Sequence, residues 1–286
     1  MDAAQPANDE QIKLWNSLAG RAWIEARELL DGMFKPFEDM LVEAVSAATA
    51  NQVLDVGCGT GSTTLAVARR LGIDGRCIGI DISAPMLAVA RARAERESAP
   101  AIFIDADAQT HAFELGCFDM IISRFGVLFF DDAVGAFANL RRAAKNGAEL
   151  RFLAWRSTAE NPFMTTAERA AAPLLANLPA RKPDAPGQFA FADQHKVCTI
   201  LQASGWTDIN IRPIDLACTL PGKEMVRYLG LLGPVGRFLQ EVDDRTRAQV
   251  IETVRAAFDP YVHGAEVRFI SACWMVSARA RSALAA

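Results

Sequence analysis

The sequence predicts an α/β fold: a mostly parallel sheet of seven strands with helices on both faces. Short, β-branched apolar runs alternate strictly with helical runs from residue 52 to 155. Alternation of that kind buries a parallel sheet between two helical layers. The first run ends in glycines, which mark a tight strand-to-helix turn. With 286 residues, 51% of them hydrophobic, the chain suits one large α/β domain carrying an insertion.

Residues 11–50 read as helices. Ile12, Trp15, Leu18 and Ala19 share a face at helical spacing, and a second run extends from Phe37 to Ala48 after Pro36. The strands follow at 52–56, 76–80, 101–104, 118–123 and 149–155. Between them helices are predicted over 63–71 and 85–97, with Ser83 as N-cap of the latter, and from a cap at Asp131 or Asp132 to Ala144. After residue 157 the pattern breaks. A helix around 165–177 leads into a loop through Pro179, Pro183 and Pro186. A helix over 193–204 and a strand over 207–214 restore the theme. The apolar stretch 220–239, with Gly230, Gly233 and Gly236, reads as a bent helical insertion. A helix at 243–258, a strand at 267–276 and an alanine-rich tail finish the chain. The expected organisation is an N-terminal helical lid (1–50), a ligand-binding core (51–156), sheet completion with helical insertions (157–240), and a last helix and strand (241–286).

Composition narrows the function. The net charge of −4, without a basic block, disfavours polyanion binding. The small cluster Arg141, Arg142 and Lys145 reads as a solvated helix face. The six cysteines are scattered with no C-x-x-C pair, and the three histidines are far apart, so neither a disulfide framework nor a metal site is expected. The N-terminus is polar and no run of about 18 apolar residues exists, which excludes a signal peptide or a membrane span from the reading. A reduced, cytoplasmic protein is expected, with no nucleic-acid or membrane partner. Nothing in the sequence sets the oligomeric state.

The chemistry concentrates at the carboxyl ends of the strands, where parallel sheets bind ligands. In Val53-Leu54-Asp55-Val56-Gly57-Cys58-Gly59-Thr60-Gly61, three glycines remove three Cβ atoms and let a ligand approach the backbone. The third glycine comes one residue too early for the dinucleotide pattern G-x-G-x-x-G. Asp81 ends the second strand, twenty residues beyond Gly61. A carboxylate there accepts two hydrogen bonds from a ribose diol, or else simply stabilises a helix N-terminus. Asp105-Ala106-Asp107-Ala108 follows the third strand. Phe118-Asp119-Met120-Ile121-Ile122-Ser123-Arg124-Phe125 forms the fourth, with Asp119 read as structural.

These four elements, in this order, resemble the class I S-adenosylmethionine-dependent methyltransferases, closest to the ubiquinone- and menaquinone-biosynthesis-like group (methyltransferase type 11). The resemblance covers residues 50–156 and implies a Rossmann-like core. It implies S-adenosyl-L-methionine as cofactor, held by Asp55, Gly57, Cys58 and Gly59. Asp81 would hold the ribose, with Ile82 and Met86 beside adenine. Asp107 and Ala108 would face the adenine edge, with Asp105 as the alternative. Arg124 and Phe125 lie where cofactor and acceptor meet, although Arg124 reads equally as an ion-pair partner. Trp15, Trp23 and Arg21 resemble a lid segment whose aromatic residue covers the cofactor and whose arginine meets its carboxylate; helical core packing explains the tryptophans equally.

Methyl transfer from a sulfonium is an in-line displacement that requires alignment and dryness more than a catalytic dyad. No catalytic residue is assigned; His111 and His263 read as loop histidines. Asn161-Pro162-Phe163 lacks the second proline of the amino-methylating motif and follows the wrong strand. Phe163, Met164, Phe189, Phe191, Tyr228, Leu231, Leu232 and Phe238 either line a pocket for an apolar or aromatic small-molecule acceptor or form the insertion's own core. The competing readings are a nicotinamide-dependent oxidoreductase and a catalytically silent S-adenosylmethionine-binding protein. Against the oxidoreductase stand the early glycine and the lack of a lysine four residues after Tyr228 or Tyr261.

Overall fold

The computed structural model describes residues 8–48, 50–175, 178, 181, 185–239 and 242–281. The first seven residues, the end of the helix expected to reach Asn177, the loop positions Pro179 and Pro183, and most of the C-terminal tail lie outside the described residues.

The sheet contains β1 (Gln52–Val56), β2 (Arg76–Asp81), β3 (Ala101–Asp105), β4 (Phe118–Arg124), β5 (Ala144–Trp155), β6 (Thr207–Pro221) and β8 (Glu266–Arg279), in the order β3-β2-β1-β4-β5-β8-β6. A two-residue β7 (Val262–His263) pairs with the start of β8. The first five strands pair parallel; β8 runs antiparallel to both β5 and β6. The seven expected strands are all present. β6 and β8 outrun their expected lengths because they pair continuously with each other, from Ile211 against Val276 to Pro221 against Glu266, well beyond the edge of β5.

The chain leaves β1 toward β2 and β3 on one side, then returns to β4 and β5 on the other. The crevice at that reversal, between the carboxyl ends of β1 and β4, is where such sheets hold ligands. Helices α5 (Ser62–Leu71), α6 (Ala84–Glu97) and α7 (Ala133–Ala143) form the crossovers. Asp132 caps α7, its Oδ1 accepting from the Gly135 N–H at 2.9 Å. Ser83, expected to cap α6, makes no side-chain cap bond; its hydroxyl donates to the Trp15 carbonyl at 2.7 Å instead.

The N-terminal run is four short helices: α1 (Asp9–Trp15), α2 (Leu18–Glu25), α3 (Arg27–Met33) and α4 (Lys35–Ala47). On α4, Phe37, Leu41 and Val45 recur every four residues and are fully buried. Each such side chain contributes about 1.5–3 kcal/mol of burial. Helix α8 (Pro162–Ala171) starts earlier than the apolar pattern indicates. Asn161 fixes its start by pairing its amide with the Ala272 backbone in both directions, each bond 2.9 Å. Helix α9 (Gln194–Ala203) packs beside α7. The insertion is α10 (Met225–Leu231) and α11 (Gly233–Phe238), bent at Gly233, whose φ is +72°. Helix α12 (Asp244–Ala257) follows.

The turns after β1 and β4 touch backbone to backbone. A Cβ at Gly126 would sit 2.5 Å from the Val56 carbonyl and 2.6 Å from Gly57 Cα. Gly126→Ala is therefore expected to lower stability by about 1–3 kcal/mol through overpacking, measured by urea denaturation. A variant as stable as the parent would show that the two turns are free to part.

Candidate active site

The crevice holds a cavity lined by all the expected cofactor residues except Arg21: Asp55, Gly57, Cys58, Gly59, Asp81, Ile82, Met86, Asp107, Ala108, Arg124, Phe125 and Trp23. Arg21 is exposed and outside the lining. Helix α2 ends at Glu25 and the chain turns at Ala26, so Arg27, at the start of α3, meets the cavity instead. Asp105 is also exposed and outside it, which leaves Asp107 as the carboxylate beyond β3. Asn8, Asp31, Thr60 and Thr63 line the cavity too and were not read from the sequence. Thr60 sits in the glycine turn and Thr63 at the start of α5, whereas Asn8, before α1, and Asp31, on α3, belong to short helical stretches without a distinctive pattern.

The glycine turn is held to β2. The N–H groups of Gly57 and Cys58 donate to the Ile80 carbonyl at 2.9 and 3.2 Å, and that of Gly59 to Asp81 Oδ2 at 2.7 Å. Asp81 Oδ1 accepts from the Ser83 N–H at 2.9 Å. Burial raises the Asp81 pKa from its usual value, and these N–H donors oppose the rise. Asp55 is completely buried and accepts from Thr64 Oγ1 at 2.6 Å. Burial pushes its pKa up to about 7, against the opposing pulls of that hydroxyl and of Arg124. Asp107 receives the Gln109 N–H at 2.9 Å, the Gln109 side-chain amide at 3.1 Å and the Asn8 amide at 3.2 Å.

Beyond β4, Ser123 Oγ donates to the Val56 carbonyl at 2.7 Å and accepts from the N–H groups of Gly126 and Val127 at 3.1 and 3.2 Å. This hydroxyl holds Phe125 in the left-handed region at φ +68°, a conformation that costs a non-glycine residue energy and tends to occur at functional sites. The Phe125 ring stacks on Trp155 at 4.3 Å, with Phe34 and Phe37 packed edge-on around it.

Helices α1 and α2 cover this region. The Asn16 side chain donates to the Ile82 carbonyl at 2.8 Å and accepts from the Ala84 N–H at 3.1 Å. Trp15 meets Phe129 edge-on at 5.1 Å and Trp23 at 5.8 Å. Arg93 joins α6 to Asp31 on α3 at 2.9 Å and donates to the Thr60 carbonyl at 3.1 Å.

A second cavity, of about 290 Å³, adjoins the first and shares Trp15, Trp23, Leu30, Phe34, Phe125 and Phe129 with it. Of the aromatic and aliphatic candidates, Phe163, Met164, Tyr228 and Leu232 line it. Phe189, Leu231 and Phe238 do not, and Phe191 packs on Phe137 and Phe152 in the core. Neither lining includes a histidine. Among the described residues no group of three or more His, Cys, Asp or Glu is placed to hold a metal ion, and no helix is long and apolar enough to cross a membrane.

A parallel sheet of this order, with a glycine turn after β1 and acids after β2 and β3, has the fold of the class I methyltransferases. Residues 53–147 match the family model described as a methyltransferase domain. Aklanonic acid methyltransferase DauC from Streptomyces sp. (strain C5) is 34% identical over 42% of this chain; the match spans about half, 54%, of that relative's length. Demethylmenaquinone methyltransferase from Renibacterium salmoninarum is 27% identical over 72% of this chain and 88% of its own. The crystal structure of the YcgJ protein from Bacillus subtilis superposes with a TM-score of 0.56 at 15% identity, covering 86% of this chain and 98% of that one, a likeness of fold.

The Asp55 shift sets a pH dependence. The folded chain keeps this proton up to about pH 7, whereas an unfolded aspartate releases it near 3.9. Between those values the folded state binds more protons, so stability falls as pH rises and then levels off. Asp81 acts in the same direction. Asp55→Asn is expected to flatten the fall between pH 4 and 7 in thermal melts. An unchanged slope would place the buried proton elsewhere.

Proposed function

We propose that the chain binds S-adenosylmethionine in the first cavity and transfers its methyl group to a small, apolar or aromatic acceptor held in the second. One observation carries the cofactor reading. Of the buried polar atoms left without a partner among the described residues, Asn8 Oδ1, Thr63 Oγ1 and Arg124 Nη1 all belong to residues lining the first cavity. Buried polar groups are nearly always paired, so a cluster of unpaired ones beside a cavity fits a polar ligand.

The charges fit as well. Asp31, Asp55, Asp81 and Asp107 line the cavity together with Arg27 and Arg124, and with Asp31 paired to Arg93 the carboxyls of Asp55, Asp81 and Asp107 are left to meet a cationic sulfonium that also carries an ammonium and a carboxylate. In this reading Asp81 takes the ribose hydroxyls. Ile82, Met86, Asp107 and Ala108 take the adenine. Gly57, Cys58 and Gly59 allow close approach of the backbone. Asp55 and Arg124 take the two ends of the amino acid, while Trp23 and Phe125 border the methyl. Arg27 replaces Arg21 as the lid arginine.

The cofactor supplies an activated methyl on a good leaving group. The protein's part is alignment and exclusion of water. Phe125, Trp15, Trp23 and Phe129 stand on the wall common to both cavities, so they form a dry passage between methyl and acceptor. Gln11 lines the acceptor side, its Oε1 buried and unpaired, suited to a donor on the acceptor. An acceptor of this kind also fits the names of the quinone and aklanonic acid relatives. A nucleic-acid acceptor is disfavoured by the net charge and because Arg141 and Lys145 are spent on the Arg281 carbonyl and Asp119.

Calorimetry on the purified chain tests this. S-adenosylmethionine and S-adenosylhomocysteine are expected to bind saturably, and Asp81→Ala to weaken both by about tenfold or more, the loss of hydrogen bonds to a charged acceptor. Binding of NADH instead would overturn the reading in favour of the oxidoreductase.

A further inference from the structure

The second cavity is lined mostly by apolar side chains. Its charged residues are Glu168 on α8, Arg181, and Arg237 on α11. None of the three belongs to the wall shared with the first cavity. Glu168 and Arg181 neutralise each other through a two-point pair, Arg181 Nε donating to Glu168 Oε2 at 2.9 Å. Arg181 is braced from the side by the Phe189 ring, 4.9 Å from its guanidinium.

Arg237 has no such partner. Among the described residues it forms neither a hydrogen bond nor an ion pair, and it stands exposed at the rim. Its electrostatic neighbours are Arg181, which repels it, and Glu168, which is already engaged. Partial burial and then the charge of Arg181 push its pKa down. Among the described residues the two arginines and one glutamate of this lining leave a single uncompensated positive charge.

Resting on the methyltransferase reading, we propose that the acceptor is an amphiphile whose apolar body fills the second cavity and whose single carboxylate is held by Arg237, away from the wall the two cavities share. A monoanion matches the one surplus charge; a phosphate monoester dianion would leave a negative charge unmatched beside Glu168. Arg237 is thereby a specificity residue for the acceptor and takes no part in methyl transfer. The Arg181–Glu168 pair positions it by occupying the one acid that acts on it among the described residues.

The test uses the full chain saturated with S-adenosylhomocysteine, with anthracene-9-carboxylate and the neutral anthracene-9-methanol as fluorescent probes. The carboxylate is expected to bind about tenfold more tightly than the alcohol. Arg237→Gln is expected to erase that preference without changing the affinity for the alcohol, and Arg237→Lys to keep part of it. Equal binding of the two probes, binding of neither, or a preference that survives Arg237→Gln would overturn the proposal. Failure of S-adenosylhomocysteine to bind, read by calorimetry on the same preparation, would instead strike the methyltransferase reading beneath it. Circular dichroism of the Gln variant shows that it is folded.

Discussion

The contact between two backbone turns organises this molecule. β1 and β4 are sheet neighbours, and their carboxyl ends approach so closely that neither Gly57 nor Gly126 has room for a side chain. Ser123 ties the two turns through the Val56 carbonyl. This approach opens the crevice on one side to the glycine turn and on the other to Phe125, which it holds in an unfavourable backbone conformation. The aromatic group around Trp155 then packs against that fixed ring, and the α3–α4 junction and α4 join it through Phe34 and Phe37. Strain at Phe125 is thus offset by packing far from it in sequence.

The electrostatics follow from the same crowding. Glycine turns bring backbone N–H groups to the crevice, but the carboxylates placed there lie beneath protein and have little water. Asp81 is compensated by two N–H donors; Asp55 has a single hydroxyl and a buried guanidinium nearby. The difference in donors explains why burial dominates so strongly at Asp55. A site that keeps acids in this condition is built for a positively charged guest, because such a guest returns the solvation that folding removed.

The core was legible because its signals are local. A strand of five residues ending in glycines, an acid at the end of the next strand, and Asp107 beyond the third are written in short segments whose geometry the backbone itself dictates. The N-terminal wall was not. Asn8, Gln11, Arg27 and Asp31 reach the cavities through the packing of four short helices, and a break at Ala26 moved Arg27 in and left Arg21 outside. Apolar side chains were ambiguous for a related reason. Phe191 and Phe163 look alike in sequence, yet one fills the core beside Phe137 and the other borders a cavity. Hydrophobicity marks what leaves water, not whether protein or ligand replaces it.

Helix α1 is two turns long and touches everything of interest. Asn8 at its head bonds Asp107, Gln11 in its middle borders the second cavity, and Trp15 at its foot belongs to both. Asn16, just beyond, is pinned to the start of α6. One short lever therefore serves as common wall for two chambers. A displacement of this helix would therefore reshape both cavities at once, since the same few residues wall them both.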